Sequence, residues 1–415
     1  MGTTGTGSLA LRPITEQEWD EVAGLMDLVF SDSGATPEQR ADERSIFEIE
    51  RSLAAFDDDL VCGHTAAYSL EMTVPGGHQI PVAGVTWVGV RPTYRRRGLL
   101  RRLMFRQLED VHANGTEAVA ALYASEAVIY GRYGYGLASH AVDVTIPRSA
   151  TALAGAPADD SLRLRLLPPE DSLALLEPVC AALVPTRPGM LARDKVWAQH
   201  RIFDPETWRK GATPLRCLVA ENASGVRGYA WFSTLGRWEG SRPDGVVQVR
   251  EVGAHDPAAY AAVWRLLLDL DLMATVEARL PVDDALLHML DDMRSARPTV
   301  KDQLFIRLVD VGKALAARGY AADVDVVFQV TDDFCPWNTG QWRLAAGPEG
   351  AVCEPTDAAA DLALTARELG AAYLGGVSLS ALAHAGRVTE LRNGALAAAS
   401  RAFASDVQPF CAYTF

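Results

Sequence analysis

Residues 85–102 carry the clearest chemical signal in this sequence. The apolar, β-branched run 85–90 ends at Pro92, and the turn Arg95-Arg96-Arg97-Gly98 then leads into the amphipathic run 99–104. A strand, a basic turn and a helix in this order bring together free backbone N–H groups, the positive end of a helix dipole and several guanidinium groups. Because these groups suit a pyrophosphate, the sequence predicts a site for a phosphorylated cofactor.

The glycine pattern decides which classes of cofactor site remain. No Gly-x-Gly-x-x-Gly follows a strand and no Gly-x-x-x-x-Gly-Lys-Ser/Thr is present, so neither a Rossmann site nor a P-loop is indicated. What stands here is Arg95-x-x-Gly98-x-Leu100 after a strand. A solvated basic helix start would explain an isolated Arg-Arg-Arg-Gly, but the preceding strand and the β–α unit that follows favour a binding site.

Composition narrows the class of protein. A chain of 415 residues predicts roughly two to four domains. An apolar share of 49% with 22% charged residues is typical of a globular protein. Fifty-three acidic against 39 basic residues give a net charge of −14, which argues against nucleic-acid binding and is compatible with a cationic substrate.

Cysteine and histidine usage bears on the compartment and on metal binding. The six cysteines lie far apart without a Cys-x-x-Cys pair, so we expect reduced thiols in a cytoplasmic protein. The eight histidines form no His-Glu-x-x-His, so no metal site is predicted. Residues 1–7 show no secretion signal, and no apolar run approaches the length of a membrane span.

Residues 1–150 are predicted to form a first domain. Thr15 and Glu18 form a capping box ahead of a helix at 16–30. The other predicted elements are strands at 60–67, 68–74 and up to Val90, a helix from Gly98 to His112, a strand at 118–124 and a short helix from Glu126.

Residues 151–297 repeat a related plan. The predicted elements are a helical region at 168–201, strands at 217–220, 228–233, 246–252 and 275–280, and a helix at 258–271. The turn Gly253-Ala254-His255-Asp256-Pro257 lacks arginine, and the charge of Asp256 would repel a phosphate. This half is therefore predicted to be a degenerate copy that binds no cofactor.

Residues 298–415 change pattern, with strands at 304–309, 324–330 and 342–344 and helices at 361–374 and 395–403, which suggests an α+β layer domain. The chain ends in the apolar-aromatic tail Phe410-Cys411-Ala412-Tyr413-Thr414-Phe415, where a polar tail would be ordinary. We expect this tail to be buried, with its terminal carboxylate paired or functional.

Two motifs carry a resemblance to a known family. The turn resembles the acetyl-CoA signature of the GNAT superfamily of N-acetyltransferases, with Leu100 in place of the final small residue. That leucine, together with the run 124–136 (Ala-Ser-Glu-Ala-Val-Ile-Tyr-Gly-Arg-Tyr-Gly-Tyr-Gly), is similar to the Eis (enhanced intracellular survival) family. The resemblance spans the chain and implies a mixed α+β and α/β fold: two GNAT-type domains, the second degenerate, and a sterol-carrier-like domain at 298–415.

The resemblance also implies roles for individual residues. Tyr130 matches the general acid that protonates the departing coenzyme A thiolate, and the C-terminal carboxylate of Phe415 matches the general base. The residues matching acetyl-CoA contacts are Val88, Gly89 and Val90 for pantetheine, Arg96, Arg97, Gly98, Leu99, Leu100 and Arg101 for the pyrophosphate, and Ser125 and Glu126 in a second segment. The resemblance further implies a hexamer of two trimers and the acetylation of several amines of aminoglycosides.

Physical reasoning supports these roles but leaves alternatives open. A tyrosine with a pKa near its usual value of about 10 can return a proton to a thiolate, although Tyr123, Tyr133 and Tyr135 are equally placed by sequence alone. An α-carboxylate with a pKa of about 3.5 is a poor base unless burial raises that pKa. Trp87 either walls the substrate cavity or packs in the core.

Three functions therefore stay open at this point. The favoured one is an acetyl-CoA-dependent N-acetyltransferase that acts on a small cationic amine, such as an aminoglycoside. The second uses the same machinery on protein lysines or polyamines. The third is a non-enzymatic protein that binds an apolar ligand and keeps only a vestigial acetyltransferase domain.

Overall fold

The computed structural model describes residues 9–150, 152–153 and 155–415. The expectation about a secretion signal concerns residues 1–7, which lie outside this part. Helices and strands are numbered below along the chain. Across the described residues, no helix combines the length and apolarity that crossing a membrane requires.

A first sheet of seven strands has the order β1-β2-β3-β4-β5-β16-β6. Its strands are β1 (Ala10–Arg12), β2 (Ser52–Asp57), β3 (Leu60–Thr73), β4 (Gln79–Val90), β5 (Val119–Tyr123), β6 (Gly136–Leu137) and β16 (Leu304–Leu308). The helices of this region are α1 (Trp19–Phe30), α2 (Pro37–Ile46), α3 (Leu99–Asn114) and α4 (Ala127–Tyr130).

A second seven-stranded sheet has the order β15-β7-β14-β13-β10-β9-β8. Its strands are β7 (His140–Pro147), β8 (Arg163–Leu167), β9 (Arg216–Asn222), β10 (Gly225–Leu235), β13 (Gly245–Ala254), β14 (Met273–Pro281) and β15 (Thr299–Asp302), and β11 (Trp238–Glu239) and β12 (Arg242–Pro243) form a separate pair. Its helices are α5 (Pro169–Leu183), α6 (Lys195–Ile202), α7 (Glu206–Arg209), α8 (Pro257–Leu268) and α9 (Ala285–Met289).

A third sheet has five strands in the order β19-β18-β17-β20-β21. These strands are β17 (Val324–Thr331), β18 (Gly340–Gly347), β19 (Gly350–Pro355), β20 (Leu362–Thr365) and β21 (Thr389–Glu390). Four helices accompany them: α10 (Val311–Ala316), α11 (Ala366–Ala372), α12 (Leu379–His384) and α13 (Ala395–Phe403). Two acetyltransferase-like layers followed by an α+β layer domain are the architecture that the sequence predicts.

Sheet membership does not follow the predicted domain limits at 150 and 297. Strand β7, at 140–147, belongs to the second sheet, where it pairs with β14 and β15. Strand β16, at 304–308, returns to the first sheet and lies between β5 and β6. The first sheet therefore contains one strand from beyond its predicted limit, and the second sheet contains two, β7 and β15.

Four element predictions need correction. The two strands predicted at 60–67 and 68–74 are the single strand β3. The segment predicted as a helix at 361–374 begins as β20, which pairs in parallel with β17. It becomes helical from Ala366, where Thr365 is the N-cap and forms a capping box with Glu368. The helical region 168–201 is interrupted between α5 and α6, where Pro185 and Pro188 lack the N–H that a helix needs. Helix α2 and strand β2 have no counterpart in the prediction.

The first helix shows how local sequence fixes an element that supports the site. Glu18 accepts a hydrogen bond of 2.7 Å from the backbone N–H of Thr15, and α1 follows this turn as the capping box predicts. Trp19, Val22 and Met26 recur on one face and are buried. They pack under β3 and β4, so the helix supports the strand that carries the predicted pantetheine contacts.

Candidate acetyltransferase site

Strands β4 and β5 diverge and open a fork in the first sheet. They pair in parallel only where Val82, Ala83 and Gly84 lie opposite residues 119–121. Beyond Gly84, β4 continues to Val90 and pairs with β3 alone. The free edge of β4, which includes the predicted residues Val88, Gly89 and Val90, can thus pair with an extended chain that carries amide groups.

A β-bulge at Trp87 bends β4 where the fork opens. The register against β3 shifts between His64 and Ala66, and Trp87 has a left-handed φ of 52°. Nδ1 of the fully buried His64 lies 2.9 Å from the Trp87 carbonyl oxygen, so the imidazole donates this hydrogen bond and fixes the bulge. Burial lowers the pKa of His64 to about 4, and the ring is therefore neutral at pH 7.

The basic turn lies where the free edge of β4 ends. Arg96 and Gly98 have left-handed φ values of 61° and 76°, and Gly98 is the N-cap of α3. The first N–H groups of α3 have no partner within the helix. Arg96 and Arg97 are exposed, and neither forms an ion pair with another described residue. Amides and guanidinium groups together can therefore hold a pyrophosphate.

The remaining predicted residues of this turn divide into two groups. Leu99 is buried and Leu100 half-buried against the core, so only their backbone amides are available to a cofactor. Arg101 is exposed, and its guanidinium carbon lies 5.0 Å from the ring centroid of Phe334. Phe334 follows β17 in the third domain, so that domain helps to position the basic turn, a role that no sequence motif signals.

Tyr130 lies on the loop that follows β5. Ser125 and Glu126 are exposed at the start of this loop, and Tyr130 is the last residue of α4. Its side chain is 6% exposed, and its hydroxyl has no hydrogen-bond partner among the described residues. Burial, followed by the nearby Tyr133 and Glu126, raises the pKa of Tyr130 to about 12, so this phenol keeps its proton near neutral pH.

The neighbouring tyrosines occupy different positions from Tyr130. The hydroxyl of Tyr123 donates a hydrogen bond of 2.9 Å to the carbonyl oxygen of Tyr413. Tyr133 packs with its ring centroid 4.8 Å from that of Phe334. Tyr135 is fully buried, and its hydroxyl has no partner in the described part of the chain.

The C-terminal tail ends in the fork. The ring of Phe415 packs edge-on against Tyr123, with centroids 5.3 Å apart. A Cβ on Gly84 would meet the side chains of Leu70 and Phe415, so the glycine leaves room for the Phe415 ring against this strand. Phe415 is half-buried, and its terminal carboxylate forms no ion pair within the described ranges.

The rest of the tail is held by two domains. Cys411 exchanges two hydrogen bonds with Gln303: its N–H donates over 3.0 Å, and its carbonyl accepts over 2.7 Å. The guanidinium carbons of Arg193 and Arg201 lie 5.0 and 5.2 Å from the ring centroid of Tyr413. Phe410, Cys411 and Tyr413 are buried, so the expectation of a buried tail holds for them, whereas Thr414 is exposed.

Trp87 packs against core aromatic residues, which is one of its two predicted environments. Its ring packs 4.9 Å from Trp19 and 5.1 Å from Phe47, measured between centroids. Its indole N–H donates a hydrogen bond of 2.9 Å to the hydroxyl of Tyr68. Because the side chain is only half-buried, a wall of the substrate cavity stays a prediction.

In the second domain, a carboxylate lies at the start of the equivalent helix. Asp256 is the N-cap of α8, and its carboxylate accepts the N–H of Ala259 over 2.9 Å. The same carboxylate pairs with Arg227 over 2.9 Å. A carboxylate of the protein thus occupies the position where the first domain presents free amides.

The fold and this site define a GNAT-type acetyltransferase. Models described as an acetyltransferase (GNAT) domain match residues 10–138 and 189–308, and one described as a sterol carrier protein domain matches 311–412. An uncharacterised N-acetyltransferase of Streptomyces coelicolor is 47% identical over 97% of this chain and 99% of its own length.

Two comparisons with Eis proteins specify the family. N-acetyltransferase Eis of Mycobacterium tuberculosis is 33% identical over 97% of this chain and 98% of its own length. The crystal structure of Eis1 from Mycobacterium abscessus superposes with a TM-score of 0.83 at 31% identity, covering 98% of this chain and all of that one. The chain therefore belongs to the Eis family of N-acetyltransferases.

Proposed function

We propose that this enzyme transfers the acetyl group of acetyl-CoA directly to an amine of a small cationic substrate, with Tyr130 as general acid and the carboxylate of Phe415 as general base. The observation that carries the proposal is the position of Phe415 at the fork between β4 and β5. Its ring packs against Gly84 on one strand and Tyr123 at the end of the other.

Acetyl-CoA fits the groups around this fork. Val88, Gly89 and Val90 offer a free strand edge to pantetheine, and the amides at the start of α3 with Arg96 and Arg97 suit the pyrophosphate. Bound there, acetyl-CoA supplies the acetyl thioester. Ser125 and Glu126 lie on the opposite side of the fork as a second contact.

The two proton-transfer groups approach the fork from opposite faces of the sheet. Tyr130 packs with Val85 and Met104 in the cluster under α3. Phe415 packs with Leu70 and Val82 in the cluster on the other face. The carboxylate accepts one proton of the incoming ammonium, and the free amine then attacks the thioester carbonyl. As the C–S bond breaks, the Tyr130 hydroxyl protonates the departing thiolate, and the second proton lost by the nitrogen restores the phenol.

A cationic substrate is supported by charge and by aromatic side chains. The chain has a net charge of −14. The half-buried Trp87 packs on the buried Trp19 and Phe47 beside the bulge, and its exposed part offers an aromatic surface that attracts ammonium groups. Aminoglycosides, which carry several amines, are the proposed substrates. Polyamines and lysine side chains are the alternatives with the same chemistry.

The test is a thiol-release assay with acetyl-CoA over a panel of aminoglycosides, polyamines and lysine peptides. Release of free CoA that depends on an aminoglycoside, with mass spectrometry showing added acetyl groups, supports the proposal. Release of free CoA with lysine peptides alone would mean that the enzyme catalyses the proposed reaction on lysine side chains instead of aminoglycosides. A thermal shift with a long-chain lipid but not with acetyl-CoA would favour the apolar-ligand protein instead.

The assembly and the compartment are proposed on the family relationship. We expect a hexamer of two trimers in the cytoplasm, with all six cysteines reduced. All six thiols are unpaired in the structure. Analytical ultracentrifugation of the purified protein measures the assembly directly.

A further inference from the structure

A second fork, outside the proposed active site, lies in the degenerate domain. Strand β13 pairs in parallel with β14 from Gly245 to Val249 and then diverges from it. On its other edge, the register against β10 shifts between Glu251 and Val249, which leaves Arg250 as the extra residue of a β-bulge. The degenerate domain thus keeps the bulge and the splayed strands of the first domain.

This fork contains a cavity of about 350 Å³. Residues 251–254 of β13 form one wall, residues 279–281 of β14 form the other, and Tyr260 of α8 lies at one end. Phe410 and Ala412 of the tail also line it. The volume lies within the range of small-molecule sites.

The edge of β13 that faces the cavity carries backbone N–H and C=O groups without a partner strand among the described residues. Residues 251–254 pair with β10 on one side only, and the described part of the chain offers no strand on the other. Unpaired backbone N–H and C=O groups along a strand bind an extended chain that carries amides.

The charged side chains around the cavity are already neutralised within the protein, with one exception. The ion pairs, with their N–O distances, are Arg187–Asp283 at 2.6 Å, Arg250–Asp204 at 2.7 Å, Arg279–Asp143 at 2.7 Å, Glu251–Arg193 at 3.1 Å and Asp256–Arg227 at 2.9 Å. The exception is Asp284, which accepts hydrogen bonds from Tyr260 and from the Leu286 N–H. His255 is exposed at the mouth. Because the other charges are paired and burial raises the pKa of Asp284, which favours its neutral form, the cavity favours a ligand without net charge.

Asp256 also excludes a phosphate at the mouth. Its carboxylate accepts the Ala259 N–H at the start of α8, where a pyrophosphate would otherwise bind. The binding of coenzyme A is thus disfavoured, whereas the binding of pantetheine, the part of coenzyme A without phosphate, is not. We propose that the second domain binds a neutral, extended amide chain of the pantetheine type in the cavity between β13 and β14.

Calorimetry on the full-length protein tests this proposal. The protein is first saturated with CoA, which fills the first fork, and is then titrated with pantetheine under reducing conditions. We expect one pantetheine site per chain. Ala285→Trp introduces a bulky ring at an exposed position of the cavity wall and should weaken this binding about tenfold or more. Ala285→Ser is the matched control, and both variants should bind CoA as the parent does.

Hydrogen exchange on the unmodified protein supplies a second measurement that needs no variant. With CoA present, pantetheine should slow exchange in residues 251–254 and leave residues 88–90 unchanged. Absence of binding, or protection of residues 88–90 alone, would overturn the proposal. Binding that survives in a folded Ala285→Trp, or a neutral tripeptide amide that binds where pantetheine does not, would also overturn it.

Discussion

Extending the chain by two glycines after Phe415 distinguishes a catalytic role of its carboxylate from a packing role of its ring. The extension turns the present carboxylate into an amide. It also moves the new carboxylate by about 7 Å, because an extended residue spans about 3.3–3.6 Å. A general base works only within hydrogen-bond reach of the proton that it removes. The displaced carboxylate therefore cannot replace the lost one.

The size of the expected effect follows from the contacts of Phe415. Loss of a general base lowers kcat about 10²–10⁴-fold. Stability should change little, because the ring keeps its packing against Tyr123 and Gly84 and the carboxylate forms no ion pair with the described residues. The extended enzyme should therefore fold, bind acetyl-CoA and turn over slowly.

The assay combines rate and stability on the same preparation. Thiol release gives kcat, thermal unfolding gives Tm, and calorimetry gives the affinity for acetyl-CoA. Two glycines added before Met1 are the matched control and should leave all three unchanged. Parental kcat in the C-terminally extended enzyme would refute the carboxylate role, and a fall in Tm with little loss of kcat would make Phe415 a packing residue.

Three further predictions concern the acid, the cofactor and the buried histidine. Tyr130→Phe should lower kcat about 10²–10⁴-fold with acetyl-CoA binding intact, and Tyr133→Phe should not; the reverse result would move the acid to Tyr133. Replacing Arg96 and Arg97 with alanine should weaken acetyl-CoA binding by about 3–6 kcal/mol at most, since each charge-assisted hydrogen bond contributes about 1.5–3 kcal/mol; unchanged affinity in calorimetry would exclude this pyrophosphate site. Burial lowers the pKa of His64 in the folded state to about 4, below its value of about 6.5 in the unfolded chain. The free energy of unfolding should therefore fall by about 3 kcal/mol as the pH falls from 6.5 through 4. Denaturant titrations should show this loss in the parent and a smaller one in His64→Gln, and equal pH dependence in both would contradict it.

Local signals in the sequence predict the basic turn well. Pro92 ends a strand, Gly98 adopts the left-handed conformation before a helix, and the apolar spacing of α3 continues from there. Each signal lies within a few residues of the others, so no tertiary contact is needed to interpret it. The helix at 395–403 follows the breaker pair Asn393-Gly394 in the same way and has the predicted bounds.

Long-range pairing is what the sequence does not reveal. Nothing in residues 304–308 shows that β16 lies between β5 and β6 rather than in the third sheet, because an apolar strand pattern is the same in either place. Helix α2 lacks an apolar periodicity because half of its ten residues are charged and only Gln39 is buried. Its capping box at Thr36 and Gln39 is visible in the sequence and could have located it.

The supporting residues of the site were missed for the same physical reason. Gly84 is one of many glycines in the sequence, and only the folded chain shows Phe415 packed where its side chain would be. Tyr123 is one of four nearby tyrosines until its hydrogen bond to Tyr413 is seen. The role of Phe334 beneath Arg101 likewise depends on how the third domain packs against the first.

The path of the tail explains why three domains act as one enzyme. On its way to the first-domain fork the tail is held by Gln303, which hydrogen-bonds to Cys411, and by Arg193 and Arg201 of the second domain, which lie against Tyr413. Those two arginines are themselves held by the buried carboxylate of Glu251, which would be costly to bury without them. The second domain, although its own phosphate position is closed by Asp256, thus positions the group that we propose as the base.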